Sequence, residues 1–179
     1  MKVAILLADG FEEIEAITPK DVIERAGIKC DFISIMEEAV VTGAHNIKIL
    51  ADDFFDEINL MNYDMIVLPG GMGGAARLAE DNRVIDLIRR FDAMNKKVAA
   101  ICAAPALVIS KSGISKNKRI TSYPGMDEFI KDGVYVEERV CVDGNLITSR
   151  GPCTAMEFAY KLVEKLGIDS NGLKKGMLY

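Results

Sequence analysis

The feature that most constrains this chain is a set of short, uninterrupted apolar runs. Lys2-Val3-Ala4-Ile5-Leu6-Leu7-Ala8 stops at Asp9-Gly10, Met65-Ile66-Val67-Leu68 stops at Pro69-Gly70-Gly71, and Lys97-Val98-Ala99-Ala100-Ile101 stops at Cys102. Each has the length of a strand and none alternates as a strand with one wet face does, so each predicts a strand covered on both sides. Lys29–Ile35 reads as another. Strands of this kind need helices above and below them.

The intervening segments supply those helices. Ile17, Val22, Ile23 and Ala26 recur at helical spacing between Glu15 and Ala26, with Gly27 as a stop. Arg83 to Met94 places Val84, Leu87, Ile88 and Phe91 on one face. Ala104 to Ser110 reads as helical, closed by Gly113, and Pro152 stands where a first helical residue is wanted before a helix from Thr154 to Leu166. Val40 to Leu50, broken at Gly43, predicts a small β excursion. Arg119–Ser122, Val134–Val136, Val140–Val142 and Asn145–Ser149 predict shorter strands, with Asp143-Gly144 as a hairpin turn. Alternating strands and helices define an α/β fold, a doubly wound sandwich with a mainly parallel sheet and helices on both faces. No linker or repeat divides it: residues 1–167 read as one domain and the polar tail 168–179 as a C-terminal surface extension.

Charge and cysteine usage exclude several functions. The 179 residues carry 22 Lys and Arg against 27 Asp and Glu, a net charge of −5 with no long basic run, which speaks against a nucleic-acid or anionic-membrane surface. No apolar run approaches the roughly 18 residues that cross a bilayer, and no signal-peptide pattern opens the chain, so a cytoplasmic protein is expected. Cys30, Cys102, Cys141 and Cys153 form no C-x-x-C pair, and neither disulfides nor a metal site nor another cofactor is expected. His45 is the single histidine.

In an open α/β sheet, ligands bind beyond the C-terminal ends of the strands, which selects Asp9–Glu15, Pro69–Ala76 and Cys102–Ala104. Cys102 stands between a buried strand and a helix, flanked by Ala99-Ala100-Ile101 and Ala103-Ala104-Pro105. A nucleophile elbow needs such small neighbours around a strained strand-to-helix turn. The helix N-terminus would lower the thiol pKa, and adjacent amides would offer an oxyanion hole. The plainer reading of Cys102 is a small core residue. Cys153 also begins a helix, while Cys30 and Cys141 lie inside strand patterns and read as packing residues. Glu12 and Glu13 read as solvated acids at a helix start, whereas Glu15 falls where its carboxyl can point across the strand ends and carry a proton beside a thiolate. Gly71-x-Gly73-x-x-Ala76 is a weak formal match to a dinucleotide fingerprint; glycine after a strand better suits close approach of amides to a reacting oxygen, with Gly71 completing the oxyanion hole. A plain turn would also satisfy these glycines, and a lone loop histidine such as His45 is more often structural than catalytic.

Gly10-Phe11-Glu12-Glu13-Ile14-Glu15, Asp21 to Gly27, Val67-Leu68-Pro69-Gly70-Gly71, Ala99 to Pro105 and Thr148-Ser149-Arg150-Gly151-Pro152 together resemble, in register and in order, the ThiJ/PfpI superfamily, and most of all its DJ-one branch. The resemblance implies a flavodoxin-like sandwich, usually a homodimer with its active site near the subunit interface. It implies Cys102 as the oxidisable nucleophile, Glu15 as the protonated carboxyl bonded to it, and the amides of Gly71 and Ala103 facing a bound oxyanion. His45 would lie near the partner's site and Arg25 at the subunit contact. Two departures stand out: Ala103 replaces the histidine that follows the nucleophile in protease-like members, and Tyr123 replaces a histidine common before Pro124 in the DJ-one branch.

The activity implied is a glyoxalase III or deglycase acting without a cofactor on a small carbonyl substrate, a reactive dicarbonyl such as methylglyoxal or its early adducts. An oxidative-stress sensor or redox-regulated chaperone, working through oxidation of Cys102, uses the same residues. A cysteine peptidase or amidase would need His45 as its base.

Overall fold

A computed structural model describes residues 1–179. The apolar runs become the middle of a seven-stranded sheet. Its strands are β1 (Lys2–Leu7), β2 (Lys29–Ser34), β5 (Asp53–Phe54), β6 (Met65–Leu68), β7 (Lys97–Ile101), β10 (Val140–Asp143) and β11 (Leu146–Ser149), in the order β10-β11-β7-β6-β1-β2-β5. All neighbours are parallel except β10 and β11, whose antiparallel hairpin turns at Gly144 and Asn145, one residue later than the expected Asp143-Gly144 because Asp143 still pairs with Leu146. Outside this sheet β3 (Val40–Thr42) and β4 (Lys48–Leu50) form a hairpin, and β8 (Arg119–Ile120) pairs with β9 (Val134–Tyr135).

Alternate residues of each central strand feed two cores. Val3, Ile5, Leu7, Val67, Ala99 and Ile101 pack against α1 (Glu13–Arg25) and α5 (Ala155–Lys165). Ala4, Leu6, Ile66, Leu68, Val98 and Ala100 pack against α2 (Met72–Glu80), α3 (Asn82–Ala93) and the helical segment after β7. That segment is a wide π turn, Pro105–Ile109, running into α4 (Ser110–Ser112). Because β1 is flanked by β2 on one side and β6 on the other, chain connections leave it in opposite directions and a crevice opens beyond the ends of β1 and β6.

Three segments differ from expectation. Met72–Glu80 is a helix, although its first residues, Met72-Gly73-Gly74, read as a loop. Close approach outweighs glycine's poor helix propensity here: a Cβ on Gly74 would sit 2.7 Å from the Phe11 backbone, and the Gly74 amide donates to Gly10 O at 3.0 Å. The segment 119–122 keeps only two strand residues, because Thr121 and Ser122 turn toward the β11 and β7 ends. The tail lies on the surface but carries a short helix, α6 (Asn171–Gly176), docked by Leu173 and Met177 and by Tyr179 edge-on to Tyr160. No helix is long and apolar enough to cross a membrane.

The two kinds of helical glycine separate in a stability measurement. Gly74→Ala should lower stability by about 1–3 kcal/mol through overpacking, whereas Gly172→Ala, with open space around its Cβ position, should be neutral or raise stability by up to about 1 kcal/mol. Chemical denaturation of both variants checks the contrast.

Candidate active site

Cys102 occupies the first position past β7 with φ +66°, a left-handed conformation otherwise taken in this chain by asparagines, glycines and Leu178 near the terminus. Such a backbone costs a β-carbon residue of order 1–2 kcal/mol. The surrounding chain holds it there. The Cys102 amide donates to Ser149 O at 3.0 Å, and its carbonyl accepts from the Tyr123 amide at 2.8 Å and from Ser122 Oγ at 2.7 Å. The side chain is thereby aimed, half-buried, into the crevice.

Glu15 approaches from the first turn of α1 and is wholly buried. Its Oε2 accepts from the Gly70 amide at 2.9 Å, while Oε1 has no protein hydrogen-bond partner. Gly70, absent from the expected site residues, joins the two groups. A Cβ on Gly70 would fall 2.5 Å from both Cys102 Cβ and Glu15 Oε2, so thiol and carboxyl meet across the space of one missing methyl group. The only local signal for this was a double glycine directly after a buried strand. Gly71, at φ +80°, caps α2 with no room for a Cβ beside Gly10 O, and Glu12 N donates to Gly70 O at 3.0 Å.

Burial pushes the Glu15 carboxyl up to about 7, opposed by the neighbouring Cys102 thiol and the Gly70 amide and with a further upward push from the Glu12 carboxylate. The Cys102 thiol is pushed up to about 12, first by burial and then by the Glu15 charge, although the amides of Gly71 and Ala103 pull it down. This corrects the expectation of a thiolate made by the helix N-terminus: with an anionic carboxyl alongside, amide dipoles do not offset desolvation. The two acids form a coupled pair in which the carboxyl gives up its proton first and the thiol retains its own.

The structure brings Cys102, Glu15, Gly71 and Ala103 together with Gly70. It does not bring His45 or Arg25 to them within one chain. His45 is 70% exposed at the tip of the β3–β4 hairpin, bonded through Nδ1 to Glu13 Oε2 at 2.9 Å. Arg25 lies about 15 Å along α1 from Glu15, at 1.5 Å per residue, and pairs with Asp21 at 2.7 Å. Tyr123 meets the site through its backbone, while its ring packs on Gly151. Ser122 and Ser149 pin the elbow; Ser149 lies in the Thr148–Pro152 motif, but neither is marked as a site residue by local pattern, because their contacts depend on how distant strands align. Glu13 is not the solvated acid expected: it is buried and holds the hairpin tip by accepting from the His45 amide at 2.7 Å. Cys153 is exposed, and Cys30 and Cys141 are buried.

Two measurements follow from strain and burial. Cys102→Gly should be about 1 kcal/mol more stable than Cys102→Ala, because only glycine relaxes at positive φ; denaturation of the two variants reads the difference. A carboxyl whose folded pKa is raised destabilises the fold as it ionises, so its effect is absent below about pH 4.5, grows as pH rises through about 7 and is complete above it. Glu15→Gln should therefore gain stability relative to the parent between pH 5 and pH 8, by an amount of order 3 kcal/mol at 1.36 kcal/mol per pKa unit. A pH-independent difference would contradict the assignment.

Comparison with known proteins sets this geometry in a family. The DJ-1/PfpI family model matches residues 1–165. Protein DJ-1 homolog B of Arabidopsis thaliana is 40% identical over 97% of this chain, which spans only 40% of that protein's length. Protein dj-1beta of Drosophila melanogaster is 42% identical, with 90% of this chain and 87% of that one covered; its crystal structure superposes with a TM-score of 0.94, covering 99% of this chain and 97% of that chain. A Pyrococcus horikoshii protein named Deglycase PH1704 is 34% identical over 93% of this chain and 99% of its own. A strained cysteine after the fourth long strand, a buried glutamate from the first helix and a match over nearly the full chain lead to one conclusion: the chain belongs to the DJ-1/PfpI family.

Proposed function

We propose that this protein is a cysteine-dependent glyoxalase III or deglycase-type enzyme acting on reactive dicarbonyls or their early adducts. The carrying observation is the Glu15–Cys102 pair: a buried carboxyl with a pKa near neutrality stands next to a thiol held on a strained turn. The name of the Pyrococcus relative points the same way.

In this reading the Glu15 carboxylate takes the Cys102 proton as sulfur attacks the aldehyde carbon, and the resulting oxyanion recovers that proton to give a hemithioacetal. Glu15 next removes the proton from the former aldehyde carbon and returns one to the neighbouring carbon, which leaves a 2-hydroxy thioester. Water hydrolyses the thioester to a 2-hydroxy acid and frees the thiol, so the net change is dicarbonyl plus water to hydroxy acid. Gly71 and Ala103 amides stabilise negative charge at sulfur and at the adjoining oxygen. No redox cofactor enters this balance.

The redox-sensor reading uses the same half-buried Cys102 and the same neighbouring carboxylate, because attack on peroxide, like attack on an aldehyde, needs the thiol proton removed; the name of the Pyrococcus relative is what favours the enzyme. A peptidase gains no support from His45, which is engaged with Glu13. The homodimer implied by family resemblance also belongs to this proposal. Ile14, Ile17, Val40, Ile47 and Leu50 are exposed on α1 and the β3–β4 hairpin, an apolar face suited to a second copy.

Cys102→Ser should abolish methylglyoxal consumption, and Glu15→Gln should depress it by about 10²–10⁴-fold. The parent's kcat/KM should rise with pH through about 7 as Glu15 becomes the base. Retained turnover by the Cys102 variant would overturn the proposal. Ile17→Asp should move the protein from dimer to monomer in sedimentation.

A further inference from the structure

Glu12, Glu13 and His45 form a cluster of titratable groups that the proposed chemistry leaves unused. Their ligand atoms lie within 4.8 Å of one another. His45 Nδ1 is 2.9 Å from Glu13 Oε2 and 3.8 Å from Glu12 Oε2. The Glu12 and Glu13 side chains are only 14% and 5% exposed, and their single basic neighbour in an ion pair is this histidine. Glu12 accepts no side-chain hydrogen bond that would replace its lost water. Glu13 Oε1 accepts from the His45 amide at 2.7 Å and the Ile47 amide at 3.5 Å, which turns Oε2 toward the imidazole, so two largely buried carboxylates converge on one ring nitrogen.

We propose that Glu12, Glu13 and His45 bind a divalent transition-metal ion of the zinc class. With metal–ligand bonds of 2.0–2.1 Å, the ligand–ligand edge of a tetrahedron is about 3.3 Å, and the two distances from Nδ1 bracket it. One imidazole nitrogen with two carboxylate oxygens suits zinc or a neighbouring transition metal better than magnesium or calcium, which take all-oxygen shells. The ion sits between Nδ1 and the carboxylates, the imidazole being neutral with its proton on Nε2. In the single chain His45 is 70% exposed, so a water can fill the remaining position there.

The cradle is built before any ion arrives. Thr42 N donates to Asp9 Oδ1 at 2.8 Å, Gly10 N to Thr42 O at 2.7 Å and Ala44 N to Phe11 O at 2.8 Å, which fixes the hairpin tip over the start of α1. Gly43 presses so closely on Glu13 that its Cβ would fall 2.5 Å from the carboxyl carbon. The ligands therefore come from two elements already locked together, and little ordering is needed on binding. Glu12-Glu13 and His45 lie more than thirty residues apart and lack any metal-motif spacing, so only the fold brings them together.

Calorimetric titration of the full chain with zinc chloride, paired with the absorption spectrum of the cobalt-substituted protein, tests the site without reference to turnover. The expected result is one ion per chain, affinity reduced about tenfold or more in His45→Ala and Glu12→Gln, and a cobalt spectrum without a thiolate charge-transfer band. Absence of binding, affinity equal to the parent's in both variants, or a thiolate band showing that Cys102 or Cys153 holds the ion would overturn the proposal. The cobalt spectrum is read on the unmodified protein, so the outcome does not depend on how the variants fold.

Discussion

The site depends on a carboxyl group placed where water cannot reach it. Glu15 is enclosed between α1 and the ends of β6 and β7, with one oxygen held by the Gly70 amide. An ionised carboxylate there lacks the solvation it would have outside, so the proton stays on to near-neutral pH. Its neighbour Cys102 then cannot be activated as an isolated thiol. Each group sets the other's proton affinity, and catalysis becomes a matter of passing one proton between oxygen and sulfur at the moment of attack.

The fold makes this contact by leaving things out. Gly70 has no side chain in the gap between thiol and carboxyl, Gly71 and Gly74 allow α2 to close against Gly10 and Phe11, and Gly43 lets the hairpin reach Glu13. What remains is held by hydrogen bonds among the segments that follow β1, β6, β7 and β8 and the end of β11. Cys102 pays for its orientation with a left-handed backbone, which Ser149, Ser122 and Tyr123 hold in place from the other side. Since β1 lies where the chain reverses its direction of travel across the sheet, the loops after β1, β6 and β7 converge at one crevice.

Much of this was legible in the sequence where a local rule applied. The runs 2–8, 65–68 and 97–101 could hardly be anything but doubly covered strands, and Cys102 among alanines marked a tight turn. Glu15 was distinguishable from Glu12 because of its place one turn into a helix. Glu13 was not, since its burial comes from a hairpin that arrives thirty residues later. Met72-Gly73-Gly74 misled for a related reason: glycines that read as a loop were serving a packed helix start. The thiol's proton affinity was misjudged because the helix N-terminus can be inferred from order along the chain, whereas the carboxylate's proximity to sulfur depends on Gly70, a three-dimensional fact.

The Glu15–Cys102 pairing is tested most directly by a carbon-13 NMR titration of the Glu15 carboxyl carbon in the reduced protein, assigned by its loss in Glu15→Gln. A midpoint near 7 is the predicted result. A midpoint at the ordinary glutamate value near 4.5 would show a hydrated, independent carboxylate, and the coupled-pair account would fail.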